Sequence, residues 1–308
     1  MNNSPIFILG NILLHFLVVV TLPPFLLGVI NRVKALIAGR QGPPLFQLYY
    51  DLTKLWRKGS VFSRTTTWMF RAGPVAGVAV GLVAAMLVPL GHHAAPISFT
   101  GDLVLFAYLL GLARFLTAVS ALDTGSAFAG LGVAREITFA SLTEPALFLG
   151  LAALVGFSGQ MSLDIMLPLA GDGWGTKAGP LLLVLVGWLM VLLVENCRIP
   201  FDDPNTHLEL TMIHEVMVLD HSGPAFACVL YGASLKLFVI SALVVGLCLP
   251  STGLWWLDWI TFISAMLALA VGIGLVESSM ARLRMPRVPQ LLVAATLACA
   301  FGFLLMLM

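Results

Sequence analysis

Between two long apolar runs, residues 195–223 read ENCRIPFDDPNTHLELTMIHEVMVLDHSG, placing Glu195, Asp202, Asp203, Glu209, Glu215 and Asp220 beside His207, His214 and His221. Only 10% of the chain is charged, so this concentration is the first candidate for chemistry. Carboxylates whose pKa is raised and imidazoles near neutrality are the side chains that pass protons. Other chemistries fail on spacing. The three histidines recur every seven residues, so on a helix they share a face but stand ~10.5 Å apart, too far to ligate one metal. HEVMV is not a zinc-protease motif, because Val218 occupies the place of the second histidine. No GxSxG, phosphate-binding loop or dinucleotide fingerprint occurs, so hydrolysis and nucleotide binding have no support.

Further ionisable groups fall within apolar runs. Arg114 and Lys236 lie mid-run, and Glu144, Glu195 and Glu277 lie within or at the ends of others. A charge at the bilayer centre costs about 2.5–3.5 kcal/mol on insertion scales. Two readings compete for each residue: a structural ion pair such as Arg114 with Glu144, or one member of a connected polar path. So many such groups together favour the path.

The elements that must position them are membrane helices. Apolar residues make up 59% of the chain and the mean hydropathy is +1.00. Several runs exceed the ~18 residues needed to cross hydrocarbon, and they are continuous instead of alternating, which excludes a β-barrel. We expect an all-α integral membrane protein in a single domain, 1–308, with eight spans near 5–30, 74–91, 102–122, 137–157, 179–196, 223–249, 257–280 and 289–308. Arg32, Lys34, Arg40, Lys54, Arg57, Lys58, Arg64, Arg71, Arg135, Arg198, Arg282, Arg284 and Arg287 all fall in odd-numbered loops, against Lys177 alone in the even ones. The positive-inside rule then puts the odd loops in the cytoplasm and both termini outside.

Within the first loop, residues 41–60 space Leu45, Tyr49, Leu52, Leu55 and Trp56 as one face of a helix, interleaved with Asp51, Lys54, Arg57 and Lys58. This predicts an amphipathic interfacial helix, after Pro43-Pro44 and ended by Gly59. Pro200 and Pro204 interrupt the start of the acidic loop, and Asp203-Pro204 predicts a second short helix running to about Leu219. His92-His93 reads as a solvated turn, Asp164, Asp172 and Asp258 as helix ends, and Trp255, Trp256 and Trp259 as an interfacial belt. Cys197, Cys228, Cys248 and Cys299 have no metal-ligand spacing and read as small packing residues. The first apolar run lacks a basic leader and a small-residue cleavage site, so it is expected to stay as a span.

Several stretches together resemble one family: GRQGPPLFQLYYDLTKLWRKG, ARFLTAVSALDTGSAFAGLGVARE, TEPALFLGL, the 195–223 segment and ESSMARLRMPR. They are similar to the respiratory complex I membrane subunit that floors the quinone site, in the form found in energy-converting membrane-bound hydrogenases and formate hydrogenlyase. The resemblance implies an eight-helix subunit of a bacterial or archaeal cytoplasmic membrane, with no catalysis of its own. It implies as partners a hydrogenase-like large subunit, an iron–sulfur small subunit and antiporter-like membrane subunits, besides the lipid bilayer, and no nucleic acid. Cofactors would sit on the partners, as 4Fe–4S clusters and, in nickel-binding members, a nickel–iron centre; this chain would hold neither cofactor nor metal. The ion-coupling residues so implied are Arg114, Glu136, Glu144, Glu195, Asp202, Asp203, Glu209, Glu215 and Lys236. Those implied to meet partners are Arg40, Asp51, Lys54, Arg135, Arg198, His207 and His214. DDPNTHLELTMIHE departs from the FD-x-PE-x-E-x-E-L of quinone-reducing members and points to the hydrogenase branch. The quinone-site subunit of an NADH:quinone oxidoreductase and a stand-alone ion transporter remain the alternatives; the transporter reading lacks the internal repeat expected of it.

Overall fold

In hydrocarbon a backbone finds no water to bond, so a chain this apolar must close its hydrogen bonds within helices. The computed structural model describes residues 5–202 and 213–308, and among these the regular elements are all helices, without strands. The helices are α1 (Pro5–Ile37), α2 (Gln47–Trp56), α3 (Trp68–Leu87), α4 (Asp102–Leu122), α5 (Ala127–Ser158), α6 (Leu163–Asp172), α7 (Trp174–Glu195), α8 (His214–Val218), α9 (Gly223–Cys248), α10 (Trp255–Ser279) and α11 (Val288–Leu307). Eight stretches are long and apolar enough to cross a membrane: those of α1, α3, α4, α5, α7, α9 and α10, and Met285–Leu307.

The central span is α9, with 61% of its apolar window buried against 28–44% for the others. It packs against α1, α3, α7 and α10, while α3 pairs with α4, and α5 and α7 both pack on α11. Trp188, Phe106, Phe238, Phe262, Leu26 and Ile30 fill the interior. Lipid is as apolar as these side chains, so close packing, not removal from water, holds the helices together. Gly187 shows how close: a Cβ there would lie 2.3 Å from the Cys299 sulfur, so α7 meets α11 only because the position is glycine. Leu9, Leu13, Phe16 and Leu17 on α1 and Phe301, Leu304 and Leu305 on α11 point outward, as a lipid-facing surface requires.

Polar side chains fix the connections at the helix ends. At the end of α4, Asp123 accepts hydrogen bonds from the Thr67 backbone N–H (2.7 Å), the Thr67 hydroxyl (2.9 Å) and the Phe70 N–H (3.2 Å), capping α3 from a neighbouring helix. In the first turn of α4, buried Asp102 likewise accepts from the Ser162 hydroxyl and the Leu163 N–H, both at 2.7 Å, which starts α6. The strap after α2 is held by Ser222, whose hydroxyl accepts from the Val61 N–H (2.9 Å) and donates to its carbonyl (3.1 Å). Gly223 takes φ +56° there, with the Gly59 carbonyl oxygen 2.7 Å from where a Cβ would stand. Tyr49 of α2 donates to the Thr21 carbonyl of α1, clamping the amphipathic helix to its neighbour.

Several sequence expectations need correction. The fourth span starts at Ala127 instead of 137, so Arg135 and Glu136 lie inside α5 and not in a loop. Their charges are accommodated because α5 packs there on α8 and borders the ionic cluster described below. The connection 158–178 contains α6, which has Asp164 in its first turn and Asp172 at its end, in keeping with their reading as helix ends, and is apolar on one face with Leu163, Met166, Leu167 and Ala170 buried. In α7 the helix breaks at Lys177, just before Pro180, whose ring excludes the carbonyl four residues back. Of the short helix expected from Asp203 to about Leu219, the described part is His214–Val218. His93 is not a solvated turn: it is buried and stacked on Trp259 at 4.4 Å, which takes Trp259 out of the interfacial belt.

Candidate functional site

The intramembrane charges found in the sequence converge. Arg114 of α4 reaches Glu144 of α5 with one guanidinium nitrogen (2.5 Å) and Glu195 at the end of α7 with the other (2.6 Å). The second Glu195 oxygen receives the Lys236 ammonium of α9 at 2.7 Å. Four helices thus contribute to one chain of alternating charge, Glu144–Arg114–Glu195–Lys236. Its ends differ in environment. The Glu195 side chain is 6% exposed, whereas that of Glu144 is 47% exposed on the rim of the bundle. Glu136, two turns before Glu144 on α5, interacts electrostatically with Lys236, Arg114, Glu195 and Asp202. Three carboxylates therefore face two cations, and the cluster favours an added proton or cation over an added anion.

A second ionic group tethers the acidic segment. Arg198 pairs with Glu277 of α10 (3.2 Å), whose other oxygen holds Lys34 of α1 at 2.7 Å. Asp202 accepts from Arg282 (2.7 Å) and from the Ile213 backbone N–H (3.2 Å), drawing together the residues on either side of 203–212. The Leu283 N–H donates to the Pro200 carbonyl (2.8 Å), so the connection after α10 braces the one after α7.

Two cavities open onto this constellation. The larger, about 250 Å³, lies among α3, α4 and α9 and is lined by Arg114, Glu195, Lys236, His214, His221 and an apolar wall that includes Gly77. The smaller, about 20 Å³, has room for about one water between Glu136, Glu195, Cys197 and Asp202. His221 stacks on Phe70 at 4.0 Å and meets the Ser120 hydroxyl at 3.4 Å, wedged where α3, α4 and α9 meet. Burial pushes the His221 imidazole down to about 4, against an opposing pull from Asp220, and pushes His214 to about 4 with Lys236 assisting. Both rings are therefore neutral at physiological pH. Burial likewise raises the Cys197 thiol well above its usual range, so it stays protonated and unreactive.

Of the residues implied to carry ions, Arg114, Glu144, Glu195 and Lys236 are joined directly, and Glu136 and Asp202 border the same small cavity. Glu215 lines the larger cavity. Asp203, His207 and Glu209 lie outside the described residues. Among residues implied to meet partners, Arg40 and Lys54 are exposed, while Asp51 accepts from Gln47 on its own helix (3.0 Å). Arg135 is half-buried in α5, His214 faces the larger cavity, and Arg198 is buried in its pair with Glu277. Lys34 and Arg282 carry ionic contacts that sequence patterning had assigned to topology alone. Nothing local marks them, because their carboxylate partners lie far along the chain. Among the described residues no three histidine, cysteine or carboxylate side chains are placed to hold a metal.

Residues 10–308 match the model of the NADH dehydrogenase family. The chain belongs to that family. It is 32% identical to formate hydrogenlyase subunit 4 of Escherichia coli K12 over 303 residues, covering 94% of each chain. It is 34% identical to hydrogenase-4 component C of the same organism over 233 residues, 76% of this chain and 73% of that protein. An NADH-quinone oxidoreductase subunit of Rubrobacter xylanophilus is 26% identical over 220 residues, covering 69% of this chain and 66% of that one. A chain of the membrane-bound sulfane sulfur reductase, an archaeal respiratory membrane complex, superposes with a TM-score of 0.83 at 21% identity, covering 97% of this chain and 99% of that one. This family member is a multi-pass membrane protein, with eight spans among the described residues, and its fold is shared with that archaeal chain over 97% of its length.

Proposed function

We propose that this chain is the membrane-anchor and energy-coupling subunit of a multisubunit, complex I-like redox complex of hydrogenase type, linking a peripheral arm to proton or sodium movement. The observation that carries this reading is the four-helix series Glu144–Arg114–Glu195–Lys236. One end borders cavities beside the acidic segment, and the other reaches the rim of the bundle. Isolated structural pairs would neutralise each charge separately. Here Arg114 and Glu195 are each shared, so a change of charge at the cavity is felt at Glu144. The partners are then a hydrogenase-like large subunit and an iron–sulfur small subunit bearing 4Fe–4S clusters, docked on the cytoplasmic face, and antiporter-like subunits beside Glu144. The large subunit holds a nickel–iron centre in nickel-binding complexes. In this arrangement the basic connections face the cytoplasm, both termini lie outside, and the site is in the cytoplasmic membrane. The similarity to formate hydrogenlyase subunit 4 and to hydrogenase-4 component C supports the branch.

Mild-detergent purification tests this assignment. The chain should co-purify with iron–sulfur and antiporter-like subunits, whereas a lone chain that is stable and transports ions in liposomes would contradict it. A second reading has its own support: the 250 Å³ cavity combines an apolar wall with Arg114, His214 and His221, as a quinone headgroup and tail would require. Quinone-dependent turnover blocked by inhibitors of such a site would favour it.

A further inference from the structure

Glu144 puts a carboxylate where a membrane helix should present hydrocarbon. It stands at the middle of α5, and its side chain is 47% exposed on the outer surface of the bundle. Its depth follows from its partner. Arg114 lies twelve residues from one end of α4 and eight from the other, roughly 18 Å and 12 Å along the axis, so a side chain as short as glutamate reaches neither membrane surface from there. Arg114 does not balance this charge alone, because the same guanidinium also serves Glu195. Three carboxylates, Glu136, Glu144 and Glu195, face only Arg114 and Lys236. Glu195 takes a cation on each oxygen, so the deficit falls on Glu136 and Glu144, and of these Glu144 is the exposed one. A bare charge against acyl chains is costly, so this surface calls for a cover that carries positive charge.

The backbone beside Glu144 has a matching need. Pro145 has no N–H, so the Ser141 carbonyl loses the donor that a regular helix would give it. Ser141 and Pro145 are both exposed, and hydrocarbon supplies no water to replace the missing bond. Ala134, Thr138, Ser141 and Pro145 follow one another at spacings of three and four, all exposed, as a stripe of small residues on one face of α5. The Thr138 hydroxyl donates to the Ala134 carbonyl (2.7 Å) and the Ser141 hydroxyl to the Thr138 carbonyl (2.9 Å), so both lie flat on their own helix. Such a surface admits a second helix at close range. Bulky side chains adjoin it: Phe148, 45% exposed and one turn on from Glu144, and Phe115, 61% exposed and next to Arg114 on α4. By contrast α1 and α11 turn Leu9, Leu13, Phe301 and Leu304 outward, a surface that lipid alone can cover.

We propose that this face of α5 seats a transmembrane helix of a neighbouring antiporter-like subunit, which sets a Lys or Arg side chain against Glu144. That cation balances the cluster, has a hydrogen to donate to the Ser141 carbonyl, and extends the alternating series Glu144–Arg114–Glu195–Lys236 into the next subunit. Acyl chains cannot take this place, since they carry neither charge nor donor at this depth. A second copy of this chain, related by a two-fold axis, would set carboxylate against carboxylate. The inference rests on the coupling reading above, which puts a membrane subunit beside Glu144, and adds the face it occupies and the group it presents.

Photocrosslinking in the intact complex tests it. Benzoylphenylalanine in place of Phe148, or separately of Phe115, should join this chain to the antiporter-like subunit on irradiation. Mass spectrometry of the joined segment should then find a Lys or Arg within about two helical turns of the attachment point. Adducts with lipid alone, with a second copy of this chain, or none at all, from a complex that retains its antiporter-like subunits, would overturn the docking face. A joined helix without Lys or Arg would overturn the cation. Replacing the cation so found by Met should lower ion translocation to the level of Glu144→Gln while redox turnover persists; unchanged translocation would contradict its role. A chain that purifies without any such subunit would overturn both this inference and the coupling reading, whereas a complete complex with the wrong adducts overturns this inference alone.

Discussion

Glu195 is bound on both oxygens by cations from different helices, and this balance makes Lys236 more than a counter-charge. Replacing Lys236 with Ala leaves one Glu195 oxygen buried without its partner and shifts the cluster to three carboxylates against one cation. Breaking a buried pair from one side typically costs about 3–5 kcal/mol. We therefore expect Lys236→Ala to lower the melting temperature of the detergent-solubilised complex markedly, with Lys236→Arg recovering most of the loss; unchanged melting in Lys236→Ala would contradict the pairing. The buried histidines give a pH dependence. His221 and His214 are held near 4 in the fold against about 6.5 in the unfolded chain, so the unfolded state binds more protons between these values. The stability from burying them neutral is complete above about pH 6.5 and drains away as pH falls toward 4. A melting series from pH 8 to 4 should show that slope, and His221→Phe, which keeps the stack on Phe70, should flatten part of it. The residue types at this site were legible in the sequence, because Arg114, Lys236 and Glu144 interrupt apolar runs. The pairing of Arg114 with Glu144 was legible as well, but the place of Glu195 between Arg114 and Lys236 was not, since Glu195 meets Arg114 across 81 positions of chain.

At the scale of elements, caps supplied in trans do what local sequence does in soluble helices. Asp123 ends α4 and at the same time satisfies the first turn of α3 through Thr67 and Phe70. Loss of an N-cap costs about 0.5–2 kcal/mol, so Asp123→Ala should lower stability by about that amount, read as a melting shift, while Asp123→Asn should keep most of it. No change in Asp123→Ala would mean that the α3–α4 packing alone holds this end. Gly187→Val is expected to be far more severe, because a Cβ there meets the Cys299 sulfur at 2.3 Å; recovery of normally folded protein would contradict the α7–α11 contact. Spans were readable wherever an apolar run was continuous. The start of α5 was not, because Arg135 and Glu136 resemble a loop boundary until α8 and the Lys236 cluster are seen beside them. Helix α6, too short to span, showed in the sequence only through its ends, Asp164 and Asp172.

At the scale of the whole molecule, charge is distributed unevenly between the two ends of the bundle. The end that carries Lys34, Glu195, Arg198, Asp202 and Arg282 is a braced ionic platform, whereas at the opposite end Asp102, Asp164, Asp172 and Asp258 serve as anchors for neighbouring backbone and hydroxyl groups. Between the two lies a packed apolar interior of Leu26, Ile30, Phe238 and Leu243. On the coupling reading proposed above, an ion arriving at the platform would leave sideways at half-exposed Glu144 more readily than straight through this apolar interior. The most direct test is ion translocation by the intact, reconstituted complex carrying Glu144→Gln, measured alongside redox turnover of its partner subunits. The network account predicts that the complex assembles and still turns over while translocation falls to a small fraction of the unsubstituted rate; assembly, turnover and translocation all at normal levels would contradict it.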